Sequence, residues 1–316
     1  MMRILAFGFT VLALAGGAPD AQSDPQQVNL PRAWRSGERF HYVMEKEVRQ
    51  AGWPRGRSRT PITLEVLARR RNSFQFGWTY GRAAPVSVSS RDREFVARLA
   101  NVMEGIRLKL FTDRHLVTCD VINHSRVAAQ IREAVDRLAD WMQVQEMPRD
   151  AINDIRAEFK PLWARRTASM IMMREPMLLL IPLGRDYVAG ERYTVRGVID
   201  NPFPGGPIPN PVTLWLRKYE PKENRATIGW RQRVDPVEAR KIIKESIIEL
   251  ARRMDREIRK DAKFPSLRFT ATATTVLDTS TGLPITCRYQ SRMTVDKKVS
   301  VERYRFRRSA GSARKE

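Results

Sequence analysis

The chain has two cysteines, Cys119 and Cys287, and both close the same phrase: a β-branched residue, then threonine, then cysteine, in LFTDRHLVTC and VLDTSTGLPITC. Two thiols in matching contexts could be joined by oxidation if the strands that bear them meet near a pseudo-twofold axis. They could equally be two small buried apolar groups, one in each sheet. His115, Cys119 and His124 offer soft ligands to a metal ion, but their spacing opposes it. His115 and Cys119 are four residues apart in what reads as a strand, about 13 Å at full extension, so no metal site is expected. Asp113 and Asp278 stand at matching turns, where a carboxylate bonds the backbone two residues on. Met170, Met172, Met173 and Met177 could line an adaptable apolar pocket, or could simply pack a core. The sequence contains no GxSxG elbow, HExxH pair, phosphate-cradling glycine loop or CxxC, and no carboxylate pair is placed for hydrolysis. No catalytic residue and no cofactor is expected, and the chain reads as a non-enzyme.

Those residues sit in a pattern that is written twice. GERFHY at 37 to 42 is answered by GERYTV at 190 to 195, an offset of 153. PITLEVLARRRNSFQFGW is answered by PVTLWLRKYEPKENRATIGW, with offsets of 150 at the proline and 152 at the closing Gly-Trp. The two cysteines are 168 apart, and a longer helix in the second copy absorbs the difference. One unit has been duplicated. Each copy reads strand, loop, strand, turn, strand, helix, strand, turn, strand. Phe40, Tyr42 and Met44 alternate with polar neighbours, and Ile62, Leu64 and Val66 repeat the device. Gly282 in DTSTGLP falls where a turn needs positive φ, and Pro284 confines the strand that follows.

The clearest helix spans 236 to 263, with Val237, Ile243, Ile247, Leu250, Met254 and Ile258 on one stripe and Asp235 as its cap. Its cations alternate with carboxylates, as on a solvated helix face. An insertion at about 125 to 174 occurs only in the first copy and reads as two or three helices broken at Pro148 and Pro161. NPFPGGPIPNP, Asn201 to Pro211, reads as a loop. The organisation expected is a signal peptide at 1–23, a first unit at 24–186, a second at 187–308 and a disordered tail at 309–316. The fold class is α+β: two antiparallel meander units, either in one curved sheet or packed face to face, covered by helices.

The start, MMRILAFGFTVLALAGG, is basic, then apolar, then small, which marks a secretory signal. The apolar run MIMMREPMLLLIPL is interrupted by Arg174, Glu175 and Pro176, so no transmembrane span is expected after the signal is removed. Lys and Arg number 57 against 35 Asp and Glu, a formal net charge of +22. That field concentrates anionic partners, and outside the cytoplasm these include lipid headgroups, lipopolysaccharide phosphates and other acidic envelope components. The basic helix has no interleaved aromatics, so specific nucleic-acid recognition is not expected.

VLDTSTGLPITCRYQSRMTV, with PNPVTLWLRKYEPKENRATIGWRQRVDP before it, resembles a group of secreted or periplasmic bacterial β-meander proteins of unassigned activity. Their last unit shows a strand, Asp, a short gap, Thr-Gly and another strand. The resemblance covers Gly190 to Phe306, with a weaker echo from Leu108 to Asn123. It implies location and fold and transfers no catalytic residue. No cysteine stands at the signal boundary to carry a lipid anchor. The function expected is that of an exported, periplasmic or secreted envelope protein that binds an apolar or anionic component. The alternatives are a module that docks a protein partner by strand addition, or a hydrolase with scattered residues.

Overall fold

The structure, a computed structural model, describes residues 9–12, 27–50, 56–86, 93–116, 119–163, 165–199, 207–253, 256–258 and 262–309. Most of the segment read as a signal, and all but the first residue of the segment read as a disordered tail, lie outside the described residues. Phe9–Leu12 forms β1 and Gln27–Val28 forms β2. The first unit runs β3 (Arg39–Gln50), β4 (Gly56–Arg70), β5 (Ser73–Tyr80), a short β6 (Ala84–Pro85), α1 (Arg93–Ala100), β7 (Arg107–Asp113) and β8 (Cys119–Val121). Three helices follow: α2 (His124–Val144), α3 (Arg149–Phe159) and α4 (Arg165–Leu180). After β9 (Tyr187–Val188) the second unit runs β10 (Arg192–Ile199), β11 (Ile208–Pro209), β12 (Val212–Glu220) and β13 (Arg225–Arg233). It ends with α5 (Pro236–Arg253), β14 (Leu267–Asp278), β15 (Leu283–Val295) and β16 (Lys298–Arg308).

The two units share one antiparallel sheet, ordered β1-β10-β12-β13-β14-β15-β16-β3-β4-β5-β7-β8. The second copy therefore precedes the first across the sheet, and β16 joins them by pairing with β3. The fold is α+β, a sheet covered by helices, as the alternating pattern implies. The likeness between the two halves extends to the register. Leu64 faces Trp78 and Glu65 faces Gly77 in the first unit, while Leu214 faces Trp230 and Trp215 faces Gly229 in the second. Each copy then bulges at the same place, between Val66 and Ala68 and between Leu216 and Lys218.

The Gly-Trp echo now has a physical reason. Trp78 and Trp230 are almost wholly buried, so the preceding glycines face the other side of the sheet. There a neighbouring side chain lies across each. A Cβ on Gly77 would come within 2.9 Å of Arg107 Nε, and one on Gly229 within 2.5 Å of Arg217 Nε. A run of touching rings connects the copies: Trp230 to Tyr289 at 5.5 Å, Tyr289 to Tyr304 at 5.8 Å, Tyr304 to Phe306 at 6.4 Å and Phe306 to Trp78 at 6.2 Å.

The sheet is curved around α4. That helix has 16 residues, about 24 Å of length, yet it touches β8 at one end of the sheet, β1 at the other and β15 between them. Laid flat, eleven strand spacings would separate those ends by about 53 Å. One end of this trough is strapped by the segment that follows β2. Trp34 Nε1 donates to Thr281 O at 2.8 Å, and Leu30 N donates to Asp186 Oδ1 at 2.9 Å. The turn at 278 to 282 explains the Asp-Thr-Gly phrase. Asp278 Oδ1 accepts from Ser280 N at 3.0 Å, Gly282 has φ +68°, and a Cβ there would lie 2.0 Å from Pro31 O.

One expectation is corrected. α5 ends at Arg253 rather than near 263, and residues 256–258, which include Ile258, are not helical; Met254 lies outside the described residues. The stripe is buried at Ala239 and Ile243, only partly at Ile247 and Leu250, and Val237 is 79% exposed. Periodicity extends a helix only as far as something covers its apolar face. Pro176 lies inside α4. Burial of the surrounding Met173, Met177 and Leu178 offsets the cost of a missing N–H.

Because the ring contacts and the β16–β3 pairing tie the units into one core, the chain should unfold as a unit. Trp78→Ala and Trp230→Ala should each cost about 3–5 kcal/mol, and each should shift a single urea transition read by both far-UV circular dichroism and fluorescence. Two separated transitions would show that the copies fold independently.

Candidate functional site

Two places in the molecule concentrate functional groups. The first lies inside the trough, where α4 presents consecutive charges to opposite partners. Glu175 Oε1 accepts from Lys46 Nζ at 3.1 Å and its Oε2 accepts from Tyr80 OH at 2.8 Å. Arg174 pairs with Glu302 of β16, its Nη1 3.2 Å from Oε1. Both cations flank the Tyr304 ring, Lys46 at 5.3 Å and Arg174 at 5.5 Å from its centre. Burial alone would raise the Glu175 pKa, but the Lys46 charge and the hydrogen bonds from Tyr80 and Lys46 hold it below the usual carboxylate range. Burial and the neighbouring carboxylate push the Tyr80 hydroxyl well above its ordinary value. Lys46 is raised as well: burial opposes its charge, while Tyr304 and Glu175 more than restore it. Each carboxylate has a cation, so the cluster fixes α4 against β3, β5 and β16 and offers no free base.

The second place is an open groove of about 700 Å³ between the start of α5 and β14. Val237, Arg240, Lys241 and Lys244 recur at helical spacing and face it from one side. Phe264, Leu267 and Arg268 face it from the other. The opposite face of α5, with Ala239 and Ile243, is buried. Asp235 caps the helix, its Oδ1 accepting from Val237 N at 2.8 Å. Lys244 Nζ stands 5.7 Å from the centre of the Phe264 ring. Four cations over an apolar floor, with no carboxylate among the residues that line the groove, can bind an anion attached to a hydrocarbon.

The residues singled out by sequence fall elsewhere. Cys119 and Cys287 are free thiols in the structure, Cys287 buried and Cys119 partly so, which matches the second of the two readings left open for them. The copies are related by a shift along the sheet, not by a twofold axis, so equivalent residues are displaced and not brought together. β8 and β15 lie six strands apart in the sheet order, and α4 touches both. Instead each cysteine pairs across strands with a fully buried threonine, Thr112 with Cys119 and Thr275 with Cys287. The Cys287 thiol donates to Leu178 O at 3.4 Å, and burial pushes its pKa up to about 12.

Met172, Met173 and Met177 are buried on α4 as part of the core; the side chain of Met170 lies outside the described residues. Asp113 repeats the role of Asp278, its Oδ1 accepting from His115 N at 3.0 Å. Among the described residues no group of His, Cys, Asp or Glu is placed to hold a metal ion, and no helix is long and apolar enough to cross a membrane. The groove was missed because Val237 was read into the buried stripe, although its i+3, i+4 and i+7 neighbours are all cationic.

No protein-family model matches the chain, and no curated protein matches it. Among solved structures, a lipovitellin chain from a study of lipid–protein interactions is similar over 89% of this chain and 26% of its own, at 9% identity and a TM-score of 0.38. This chain thus spans about a quarter of that protein's length, and neither fold nor function follows from a match of that size.

The Asp278 turn gives a pH prediction. Burial would raise its carboxyl, but hydrogen bonds from Arg308, Ser280 and Thr281 bring it down to about 2. A depressed folded-state pKa means that the stability it adds is present above the unfolded value, near 4, and is lost as pH falls toward 2. Asp278→Asn should therefore cost about 1–2 kcal/mol at pH 7, with a difference from the parent that shrinks between pH 4 and pH 2 in chemical melts. An undiminished gap at pH 2 would show that the carboxylate charge is not what matters.

Proposed function

We propose that this is an exported, non-enzymatic envelope protein that binds an anionic amphiphile in the groove between α5 and β14. The observation behind this reading is the pairing of Arg240, Lys241, Lys244 and Arg268 with the apolar surface of Val237, Phe264 and Leu267. Export is supported by the basic and apolar start of the chain, and a periplasmic or secreted location goes with it. A binding role in place of catalysis is supported by the ionisable groups of the trough, which are spent on holding α4.

A second reading, strand addition by a protein partner, rests on one observation. Phe9–Leu12, within the segment read as a signal, pairs with the Arg196–Ile199 edge of β10. Removal of that segment would bare the edge to an extended partner strand.

Titration calorimetry with monomeric dodecyl phosphate, a neutral glycoside of the same chain length and inorganic phosphate separates the contributions of head and tail. The amphiphilic phosphate should bind tighter than either of the others, and K241Q/K244Q should weaken it about threefold to tenfold. Equal affinity for the neutral glycoside, or an unchanged affinity in the variant, would refute the groove as the site.

A further inference from the structure

The outer face of the sheet is a second feature that folding alone does not explain. Arg192, Trp215, Gly229, Thr274, Arg288 and Arg305 are successive cross-strand partners from β10 to β16. Arg288 therefore stands directly opposite Arg305, and like charges so placed are destabilising. In the neighbouring rows Arg231 and Arg303 are separated by Thr272 and Gln290, and Arg233 and Arg292 by Thr270. Among the described residues, the first carboxylates on the Arg288 and Arg231 rows are Glu45 and Glu47 of β3, beyond β16. Arg303 reaches Glu47 at 3.6 Å, whereas Arg305 Nε is buried without a hydrogen-bond partner. Trp215 lies on this same face between Arg192 and Arg217, which stand 5.9 and 5.4 Å from its ring centre.

We propose that this face docks the protein on an anionic membrane surface, with guanidinium groups against lipid phosphates and Trp215 at headgroup depth. The distribution of charge favours a plane over a thread. Arg231, Arg288, Arg292 and Arg305 spread across four strands, about 14 Å, and a similar distance along them, whereas a linear polyanion is tracked by a single file of cations. Single-stranded nucleic acid is recognised by successive aromatic platforms, and on these rows the described residues include one tryptophan, Trp215, among threonines and arginines. Trp and Arg together suit the headgroup layer. The short threonine side chains of β14 leave the cations standing clear of the sheet. This inference does not depend on the groove, although a protein that takes an amphiphile from a membrane would benefit from resting on one.

The test is flotation of the full chain with vesicles of phosphatidylcholine, with and without phosphatidylglycerol, over a range of salt. The face variant R231Q/R288Q/R292Q/R305Q is compared with R69Q/R70Q/R71Q/R126Q, which removes the same charge from the β4–β5 turn and α2. Each face cation should contribute about fivefold, so the face variant should partition several hundredfold more weakly, on the order of four such factors multiplied. The control should change little, and added salt should release the parent. Removal of the Arg288–Arg305 opposition should leave the melting temperature unchanged or higher, which separates lost docking from lost folding. If the fourfold variant does not fold, R305Q and Trp215→Ala are read singly, and each should weaken partitioning. Equal losses in face and control variants, equal binding to neutral vesicles, or face-dependent binding to a sulfated polysaccharide with none to vesicles would each overturn the proposal. K241Q/K244Q should still float like the parent, so failure of the groove and failure of the face are told apart.

Discussion

The seating of α4 inside the sheet is the constraint on which the rest of the molecule depends. A sheet of this width has too much apolar surface on one face to leave open, and a helix too short to span it flat can cover it only if the sheet bends. Greasy packing by Met172, Met173 and Met177 supplies the drive but specifies neither the rotation nor the depth of the helix. Arg174 and Glu175 supply both, because neighbouring positions on a helix point about 100° apart and each must find its own partner. Glu302 on β16 and Lys46 on β3 stand on the two strands that join the repeats. The charges that fix the helix therefore also fix the seam between the copies. A buried ion pair is weak evidence for net stability, but loss of one partner is costly, and that asymmetry selects one arrangement over its near neighbours.

The shift relation between the copies has a second consequence. Duplicated elements in a tandem sheet take equivalent places but acquire different neighbours, so the same residue does different work. The turn after β7 and the turn after β14 both use an aspartate to bond the backbone two residues on. The second also binds Arg308 and lies beside the strap through Trp34. Likewise Glu65 pairs with Arg107 across Gly77, while its counterpart Trp215 lies between two arginines beside Gly229. At this one position the first unit sets an ion pair where the second sets an aromatic ring between two cations.

Much of this architecture was legible in the sequence because it rests on local rules. Alternation placed Phe40, Tyr42 and Met44 on one face, and Gly282 marked its positive φ. The repeat of Gly-Trp located equivalent strands before any pairing was known. What sequence could not supply were relations across the sheet. A twofold axis and a lateral shift leave the same trace in a repeat, and only the second forbids a bond between Cys119 and Cys287. Charges inside an apolar run read as an interruption at Arg174 and Glu175, since their partners lie more than a hundred residues away in both directions. The end of α5 was misjudged for a related reason: the apolar stripe continues in sequence, but its burial declines along the helix. The groove has a local signature that is visible afterwards, a single exposed valine followed by cations at the next positions of its own helical face.

The excess of positive charge divides between two kinds of position, and the division bears on what each can do. Cations beside an apolar floor, as at Lys244 and Phe264, can hold an anion only where a hydrocarbon tail adds its own burial. Cations on an outward face of threonines have no such help, so they act in number and are screened by salt. The groove and the outer sheet face meet at Arg268. It lines the groove and also lies on the outer side of β14, with Thr270 and Thr272 next along the strand.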